Sequence, residues 1–425
     1  MDRSKRVPPL LSPFIRTQSF VVMDGGLATA LERDGCVHDT DLWSAVFLKS
    51  DKDATAIQAV HQKYLEAGAD VICTASYQAS FEGFEKVLGF SHKESLAAFQ
   101  RSVSVAVRAR DRFWSGWLKE HHTDLKDNPE PSGAPTDSSQ VMCLLRTKRI
   151  DLRKMSQLKM IVSAACAPSK LPVVPSLWSV ALWQCNLDLQ VAASLGCYGA
   201  ILATGQEYTG EYGDITDDGL RAFHKSRLDV IVGLTGVDLL AFETVPCIRE
   251  ARIICELLRD AYPSAPPAWI AFSCRDESHI STGESFSDAV KAVLNSSCPG
   301  VLAVGINCTK PQFVTSLLQI GSKVLNSNAI DATSPSRKRK QTDDDEKRSK
   351  DGMSQSPLVL LCYANSGETF DGVSRDWVKS GEYASTESWL SLVTAWQKAG
   401  AVMIGGCCRT YYEHVSGLRN IARNT

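Results

Sequence analysis

The chain has 425 residues, a formal net charge of -2, and 22% charged against 44% hydrophobic residues. This composition excludes collagen, coiled-coil and mostly disordered proteins. The near-neutral charge gives no reason to expect a nucleic-acid-binding surface over the whole protein. At roughly 150 residues per domain, the length fits two or three domains, or one large barrel with insertions.

Targeting and redox signals are weak. No segment approaches the ~18 consecutive apolar residues of a membrane span. The N-terminal stretch Met1–Gln18 is basic but has no continuous apolar run, so we expect no secretory signal and a cytoplasmic protein. Fourteen cysteines are too few for a disulfide scaffold in a chain of this length. We therefore expect mostly reduced thiols, which are available for metal binding or catalysis.

Short apolar segments alternate with helical patterns along the chain. Their almost continuous apolar character is typical of strands that are buried on both faces. The predicted strands are Ser19–Met23, Asp70–Thr74, Val191–Leu195, Asp238–Glu243, Ala268–Ser273, Val301–Gly305, Leu358–Tyr363 and Ala401–Gly405. Strand–helix alternation favours parallel βαβ units. Eight such units predict a closed (β/α)8 TIM barrel, with a doubly wound open sheet as the alternative.

Helical periodicity lies between these strands. Three apolar faces with helical spacing are Ile57–Val60–Tyr64, Ile248–Ala251–Cys255–Leu258 and Trp389–Val393–Trp396. The first of these helices also carries His61, for which we expect a solvated side chain.

Residues 119–190 do not fit the alternation. A polar, proline-rich part, Asp127–Pro135, is followed by an irregular apolar part with Trp178 and Trp183. About seventy residues without a clean period are unusual inside a compact domain. The sequence leaves open an elaborated loop, a small subdomain, or a gene-model artefact such as translated intron.

Residues 326–355 form the second irregular stretch. A basic block at Ser336–Lys340 precedes an acidic block at Asp343–Glu346. Charge blocks without apolar residues bury too little surface to offset the entropy of ordering, so we expect a disordered charged loop between barrel units. The composition favours a solvated linker, and the alternative for Arg337–Lys340 is a nuclear localisation signal.

Three cysteines follow predicted strands at the end where a TIM barrel carries its active site. Cys308 follows the sixth strand, and Cys407 and Cys408 follow the eighth. Three thiolates there fit a zinc site with an open fourth position, which suits thiol alkylation because coordination deprotonates an incoming thiol. The paired C-x2-4-C spacing of closed structural zinc sites is absent. Ordinary packing of buried cysteines and a disulfide remain alternatives.

Two carboxylates, Asp24 and Glu243, follow the first and fourth predicted strands. They fit an acid–base pair, as in glycosidases. They equally fit a pair that holds a substrate ammonium group while the N–H groups of the Gly25–Gly26 turn bind its carboxylate. A third interpretation is a structural carboxylate satisfied by backbone N–H groups. The glycine-containing stretch Gly205–Gly210, after the third strand, indicates a loop that shapes the pocket.

At these residues the chain resembles the homocysteine S-methyltransferase family. The matching stretches are Val22–Leu27, Tyr64–Val71, Thr74–Ala79, Val191–Gly196, Phe242–Pro246, Gly305–Cys308 and Gly405–Arg409. The resemblance implies a single (β/α)8 barrel domain over residues 1–425. It also implies a catalytic Zn²⁺ on Cys308, Cys407 and Cys408. Asp24, Gly25, Gly26 and Glu243 would then bind the amino-acid part of L-homocysteine.

The same resemblance indicates the methyl donor. Thr74–Ala79 is similar to the branch that uses S-methylmethionine or S-adenosylmethionine. The partners expected are therefore L-homocysteine and a sulfonium donor, with methionine as product and neither nucleic acid nor membrane involved. Two departures, Cys197 for the usual proline and Thr204 for a common aspartate, fall on the loop after strand three. The alternatives are an inactive barrel that senses homocysteine or zinc and, less favoured, one module of a cobalamin-dependent methionine synthase.

Overall fold

A computed structural model of the chain describes residues 7–37, 40–120, 189–333, 357–371, 376–378 and 382–424. Ten strands lie in this part of the chain: β1 Val21–Val22, β2 Val71–Cys73, β3 Gln190–Gly196, β4 Leu239–Val245, β5 Ala268–Phe272, β6 Val301–Asn307, β7 Val359–Ala364, β8 Thr369–Asp371, β9 Asp376–Val378 and β10 Ala401–Gly406. Strands β8 and β9 form a separate antiparallel hairpin. The other eight are the predicted strands, which confirms each of them to within a few residues.

The eight strands form one parallel sheet in the order β1-β10-β7-β6-β5-β4-β3-β2. A parallel bridge between Met23 and Val71 joins the two ends of that order. The Asp70 N–H also donates to the Val22 carbonyl oxygen at 2.7 Å. The sheet therefore curls into the predicted (β/α)8 barrel, and the doubly wound open sheet is excluded.

Helices follow the strands and cover the outside of the barrel. Their bounds are α1 Ser12–Ile15, α2 Leu27–Arg33, α3 Ala54–Ala67, α4 Phe81–Leu88, α5 His92–Glu120, α6 Tyr198–Leu202, α7 Asp217–Ile231, α8 Ile248–Glu256, α9 Phe286–Asn295, α10 Pro311–Thr333, α11 Thr386–Ser391, α12 Val393–Lys398 and α13 Tyr412–Asn424. None of the helices in the described part of the chain is long and apolar enough to cross a membrane.

Two apolar layers hold the barrel together. Residues on alternate positions of the strands point inward, where Trp269 and Met403 are fully buried beside Leu11 and Phe14 of the N-terminal helix α1. The opposite faces pack against the surrounding helices. All three apolar helix faces expected from the sequence lie in this outer layer.

His61 departs from the expectation of a solvated side chain. It lies on α3 and is 0% exposed, with both ring nitrogens unpaired among the described residues. Burial lowers the pKa of His61 to about 4, so the ring is neutral at physiological pH. The side chain faces the core because it shares the helix face of Ile57, Tyr64 and Leu65.

The two irregular stretches lie largely outside the described residues. Residues 121–188 are not described, so α5 and β3 mark the edges of the first stretch. Helix α10 continues to Thr333, and residues 326–333, which the sequence predicts as loop, are therefore helical. Residues 322–334 contain no proline or glycine that would end the helix, and Pro335 is the first such residue beyond Gly321. The remaining loop residues, including Arg337–Lys340, are not described.

Candidate active site

Three thiols converge at the carboxyl ends of β6 and β10. Cys308 follows β6 directly, and Cys407 and Cys408 follow β10. Their Sγ atoms all lie within 4.8 Å of one another, with Cys308 2.6 Å from Cys407 and 3.8 Å from Cys408. The cluster that the sequence predicts is therefore assembled by the barrel.

Strand β7 lies between β6 and β10 and fixes both cysteine segments. The Cys308 N–H donates to the Tyr363 carbonyl at 3.2 Å, and the Cys407 N–H donates to the Ala364 carbonyl at 2.8 Å. Cys308 has a φ of 47°, in the left-handed region that non-glycine residues rarely adopt. Such strain is kept only where the surrounding structure fixes the backbone, and it is typical of functional sites.

The donor set of this cluster fits zinc. Three soft sulfur atoms facing one point are the ligands that Zn²⁺ prefers. Sulfurs bound to one tetrahedral zinc at about 2.3 Å lie roughly 3.8 Å apart, which matches Cys308 and Cys408. The 2.6 Å Cys308–Cys407 separation is shorter than this edge but longer than a disulfide bond of about 2.05 Å. All three cysteines are unbridged.

One sulfur of the cluster is the preferred thiolate. Hydrogen bonds from the Cys308 and Cys407 thiols hold the pKa of Cys408 well below its usual range. Hydrogen bonds with Cys308 and Cys408 raise the pKa of Cys407, whose thiol acts as a hydrogen-bond donor.

Asp24 lies just beyond β1 and is 4% exposed. Its Oδ2 accepts the Cys73 backbone N–H at 2.7 Å, and the Cys73 thiol also bonds to the carboxylate. Burial, with a smaller contribution from the nearby Glu243, raises the pKa of Asp24 to about 8. Asp24 is therefore positioned by the end of β2.

Glu243 lies inside β4, two residues before that strand ends, where the sequence predicted a residue at the strand end. Its carboxylate accepts the hydroxyl groups of Ser194 and Tyr363. Trp269 Nε1 in turn donates to the Tyr363 hydroxyl at 3.1 Å, so this hydroxyl is fixed from both sides. Burial raises the pKa of Glu243 to about 7.

The two carboxylates lie within electrostatic range of one another and have no paired cation among the described residues. Among the described residues, neither Asp24 nor Glu243 takes part in an ion pair. Their mutual repulsion adds to the cost of burial, which is high for unpaired charges. Asp24 accepts a backbone N–H group, as the structural interpretation expects, whereas the hydrogen bonds of Glu243 come from side-chain hydroxyl groups.

The Gly25–Gly26 turn packs against the Cys407–Thr410 segment. A Cβ atom on Gly25 would lie 2.8 Å from the Thr410 carbonyl oxygen, and one on Gly26 would lie 2.5 Å from that of Cys407. The Gly26 N–H donates to Thr410 at 3.0 Å. It is therefore already paired, contrary to the expectation that both amides of the turn bind a ligand carboxylate. The Gly25 N–H makes no hydrogen bond within the described residues.

The Gly205–Gly210 loop lies over the thiols, as expected of a loop that shapes the pocket. Both end glycines are left-handed, with φ of 89° and 72°. Between them the Tyr208 hydroxyl bonds to Cys308, while 44% of the Tyr208 side chain stays exposed. Burial raises the pKa of Glu207 to about 7, with a further contribution from Cys308.

Several residues of the site were not singled out from the sequence. Ser194 and Tyr363 hold Glu243, and Glu207 and Tyr208 flank the thiols. The signal for the first pair was a polar side chain inside an otherwise apolar strand. For the second pair it was only the glycine spacing of their loop.

The two departures from the family pattern lie near this loop. Cys197 is fully buried. Thr204 is exposed, and its hydroxyl donates to Gln206 Oε1 at 2.7 Å. Thr204 thus stabilises the start of the loop.

Comparisons with known proteins agree with this geometry. The family model described as homocysteine S-methyltransferase matches residues 21–422. Homocysteine S-methyltransferase 2 of Zea mays is 36% identical over 391 residues, which cover 92% of this chain and 86% of the maize protein. The selenocysteine methyltransferase of Astragalus bisulcatus is 32% identical over 415 residues, which cover 97% of this chain and 96% of the Astragalus protein.

Solved structures give the same result. The metallated form of the homocysteine methyltransferase MmuM from Escherichia coli superimposes with a TM-score of 0.62 and 28% identity. The match covers 97% of this chain and 99% of the bacterial one. The family model and the maize relative cover nearly the whole length, so the chain belongs to the homocysteine S-methyltransferase family.

Proposed function

We propose that this protein transfers a methyl group from S-methylmethionine or S-adenosylmethionine to L-homocysteine and forms methionine. The observation that carries the proposal is the convergence of three thiols at the barrel end that also holds two buried, unpaired carboxylates. Thiols suit a metal that activates sulfur, and the carboxylates suit an amino acid. Their combination fits an acceptor that is both a thiol and an amino acid.

The carboxylates are proposed to bind the ammonium group of homocysteine. An ammonium ion has three donors, and between Asp24 and Glu243 it would favour the ionised form of both carboxyl groups, which burial alone disfavours. The Gly25 N–H is the amide of the turn that can take the acceptor's carboxylate. Ser194 and Tyr363 fix Glu243, so the pocket is preorganised for this end of the substrate.

Cys308, Cys407 and Cys408 are the residues that would hold zinc. A zinc ion held there would lower the pKa of the homocysteine thiol, so that a nucleophilic thiolate exists at neutral pH. The backbone bonds from β7 fix two of the cysteines before any ligand binds.

The chemical step needs no acid from the protein. The homocysteine sulfur attacks the methyl carbon of the donor and forms a new carbon–sulfur bond. The bond from that carbon to the sulfonium sulfur breaks, and its electron pair stays on the donor as a neutral thioether. The thiol proton has already left, so charge and atoms balance. Catalysis then depends on thiolate formation and on in-line positioning of the two reactants.

Two alternatives follow from specific observations. A relative named selenocysteine methyltransferase makes selenocysteine a second candidate acceptor, because a selenol is a softer nucleophile of similar shape. An inactive barrel that only senses homocysteine or zinc is less favoured, because both the thiols and the carboxylates are in place.

The experiment is a product assay with purified, zinc-loaded protein. Homocysteine or selenocysteine is supplied as acceptor with S-methylmethionine or S-adenosylmethionine as donor, and bound metal is measured in the same sample. We expect methionine from homocysteine with at least one sulfonium donor. A folded protein that binds zinc but methylates only selenocysteine would support the second acceptor. Zinc binding without any methylated product would support the sensor.

A further inference from the structure

Glu207 places an unused carboxylate oxygen beside the thiols. Its Oε2 is buried and has no hydrogen-bond partner among the described residues. The charge of this side chain acts on Cys408, and that of Cys308 acts on Glu207, so the carboxylate lies within electrostatic range of the cluster. A buried, unpaired acceptor is costly, and in a native structure it indicates a role.

The loop holds Glu207 in this position. The Ser273 hydroxyl donates to the Glu207 carbonyl oxygen at 2.7 Å. A Cβ atom on Gly199 would lie 2.5 Å from the Glu207 nitrogen, so the backbone of α6 packs tightly against it. The backbone of Glu207 is therefore held by contacts from two neighbouring elements.

Charge then limits what can pair with Glu207. Among the described residues no ion pair involves it. A metal-loaded cluster of three thiolates and one divalent ion carries a net negative charge, so the local field also favours a cation. The ammonium group of homocysteine already has Asp24 and Glu243. A second cation must therefore come from the other substrate.

We propose that the Glu207 carboxylate binds the positive charge of the sulfonium donor, with the exposed ring of Tyr208 as a second wall of that site. The inference rests on the proposed function, since it assigns the donor end of the same pocket. An aromatic face attracts cations, and the Tyr208 side chain is 44% exposed while its hydroxyl bonds to Cys308. The donor methyl would then lie close to the thiols.

This role has a kinetic consequence. The donor is cationic when it binds, and its positive charge disappears as the methyl group is transferred. Glu207 therefore stabilises the bound donor more than the transition state. Its loss should therefore raise KM for the donor without lowering kcat, and any change in kcat should be a modest increase. The neutral thioether product gains nothing from the carboxylate, which favours its release.

The test compares Glu207→Gln with a matched control, Glu211→Gln. Glu211 is an exposed carboxylate just beyond the same loop. In Glu207→Gln we expect KM for S-methylmethionine to rise about tenfold or more, as for one lost charge-assisted contact. Its kcat, homocysteine KM and zinc content should stay within about threefold of wild type. The control should match wild type throughout, and Glu207→Asp should recover part of the donor KM.

Other outcomes separate the hypotheses. An unchanged donor KM in folded Glu207→Gln would overturn this inference, and so would loss of zinc, which would make Glu207 a metal ligand. If Glu207→Gln does not fold, Glu207→Ala decides, because it removes the charge without placing an amide in the buried site. A donor KM equal to wild type there would also contradict the proposal. Wild-type protein without activity on any sulfonium donor would instead disprove the proposed function.

Discussion

The chemistry of this protein depends on where single side chains stand relative to the strand ends. Cys308 and Arg409 both have left-handed backbones, with φ of 47° and 64°, directly at the thiol cluster. Arg409 is paired with the buried Glu368, which joins the segment after β10 to the segment after β7. Backbone strain and this ion pair together aim the three sulfurs at one point.

Substitution Cys407→Ser tests the ligand assignment at this scale. A hydroxyl is a far weaker zinc ligand than a thiolate. Loss of residues that merely orient ligands costs ~10–100-fold in metal affinity, so loss of a ligand should cost roughly 100-fold or more in both affinity and activity. Metal analysis and the methyl-transfer rate check this. The barrel itself should survive, and circular dichroism should be unchanged.

Cys36→Ser is the matched control for that experiment. Cys36 is a half-buried, unbridged cysteine in the turn after α2, and it is not part of the cluster. Its variant should keep wild-type zinc and activity. Full activity in Cys407→Ser, or equal zinc loss in both variants, would show that the ligand assignment is wrong.

At the scale of elements, close backbone packing determines the site. The turn after β1 lies directly on the segment after β10, because Gly25 and Gly26 have no side chains. The cysteine cluster is thus held from two sides, by β7 through hydrogen bonds and by the turn through packing.

Gly26→Ala should disturb the metal site without touching a ligand. The added Cβ would lie 2.5 Å from the Cys407 carbonyl oxygen, so the cysteine segment must move. We expect zinc affinity to fall about tenfold or more, as for a lost orienting contact. Chelator competition measures the change.

Gly116→Ala is the control for this packing effect. Gly116 lies in α5 with no atom near its Cβ position. Alanine there should keep zinc affinity and stabilise the helix by about 0.5–1 kcal/mol. Equal zinc affinity in the two variants would contradict a role for the turn in holding the cluster.

The sequence predicts the positions of the strands better than the side-chain contacts between them. Continuous apolar runs identify buried parallel strands, and β-strand placement then puts Cys308, Cys407 and Cys408 at one end of the barrel. The extension of β4 past Glu243 was missed, because Thr244 and Val245 are compatible with either strand or loop. The sequence identifies Tyr363 only as the end of a strand. Its bond to Glu243 joins two different strands, β7 and β4, and forms only when the barrel closes.

At the scale of the whole molecule, the buried carboxylates link stability to pH. The folded state raises the pKa of Asp24 from 3.8 to about 8 and that of Glu243 from 4.5 to about 7. At pH values between the unfolded-state and the folded-state pKa of each group, the folded chain holds a proton that the unfolded chain has released. The contribution of these two groups to the free energy of unfolding therefore falls as pH rises from about 4 towards 8.

Asp24→Asn isolates this contribution. Asparagine cannot ionise, so unfolding midpoints of the metal-free variant should decline less between about pH 5 and 7.5 than those of wild type. Other titrating groups are common to both proteins and cancel in the comparison. If the urea midpoints of the two proteins decline equally between these two pH values, Asp24 is ionised in the folded protein.

The central claim is that the zinc cysteines and the amino-acid carboxylates act together in one methyl transfer. The most direct measurement is a single-turnover reaction of zinc-loaded enzyme with homocysteine and S-methylmethionine or S-adenosylmethionine that is labelled in the donor methyl group. We predict label in newly formed methionine for wild type, and none for Cys407→Ser. Label that stays in the donor with zinc-loaded wild type, or reaches methionine equally in Cys407→Ser, would contradict the account.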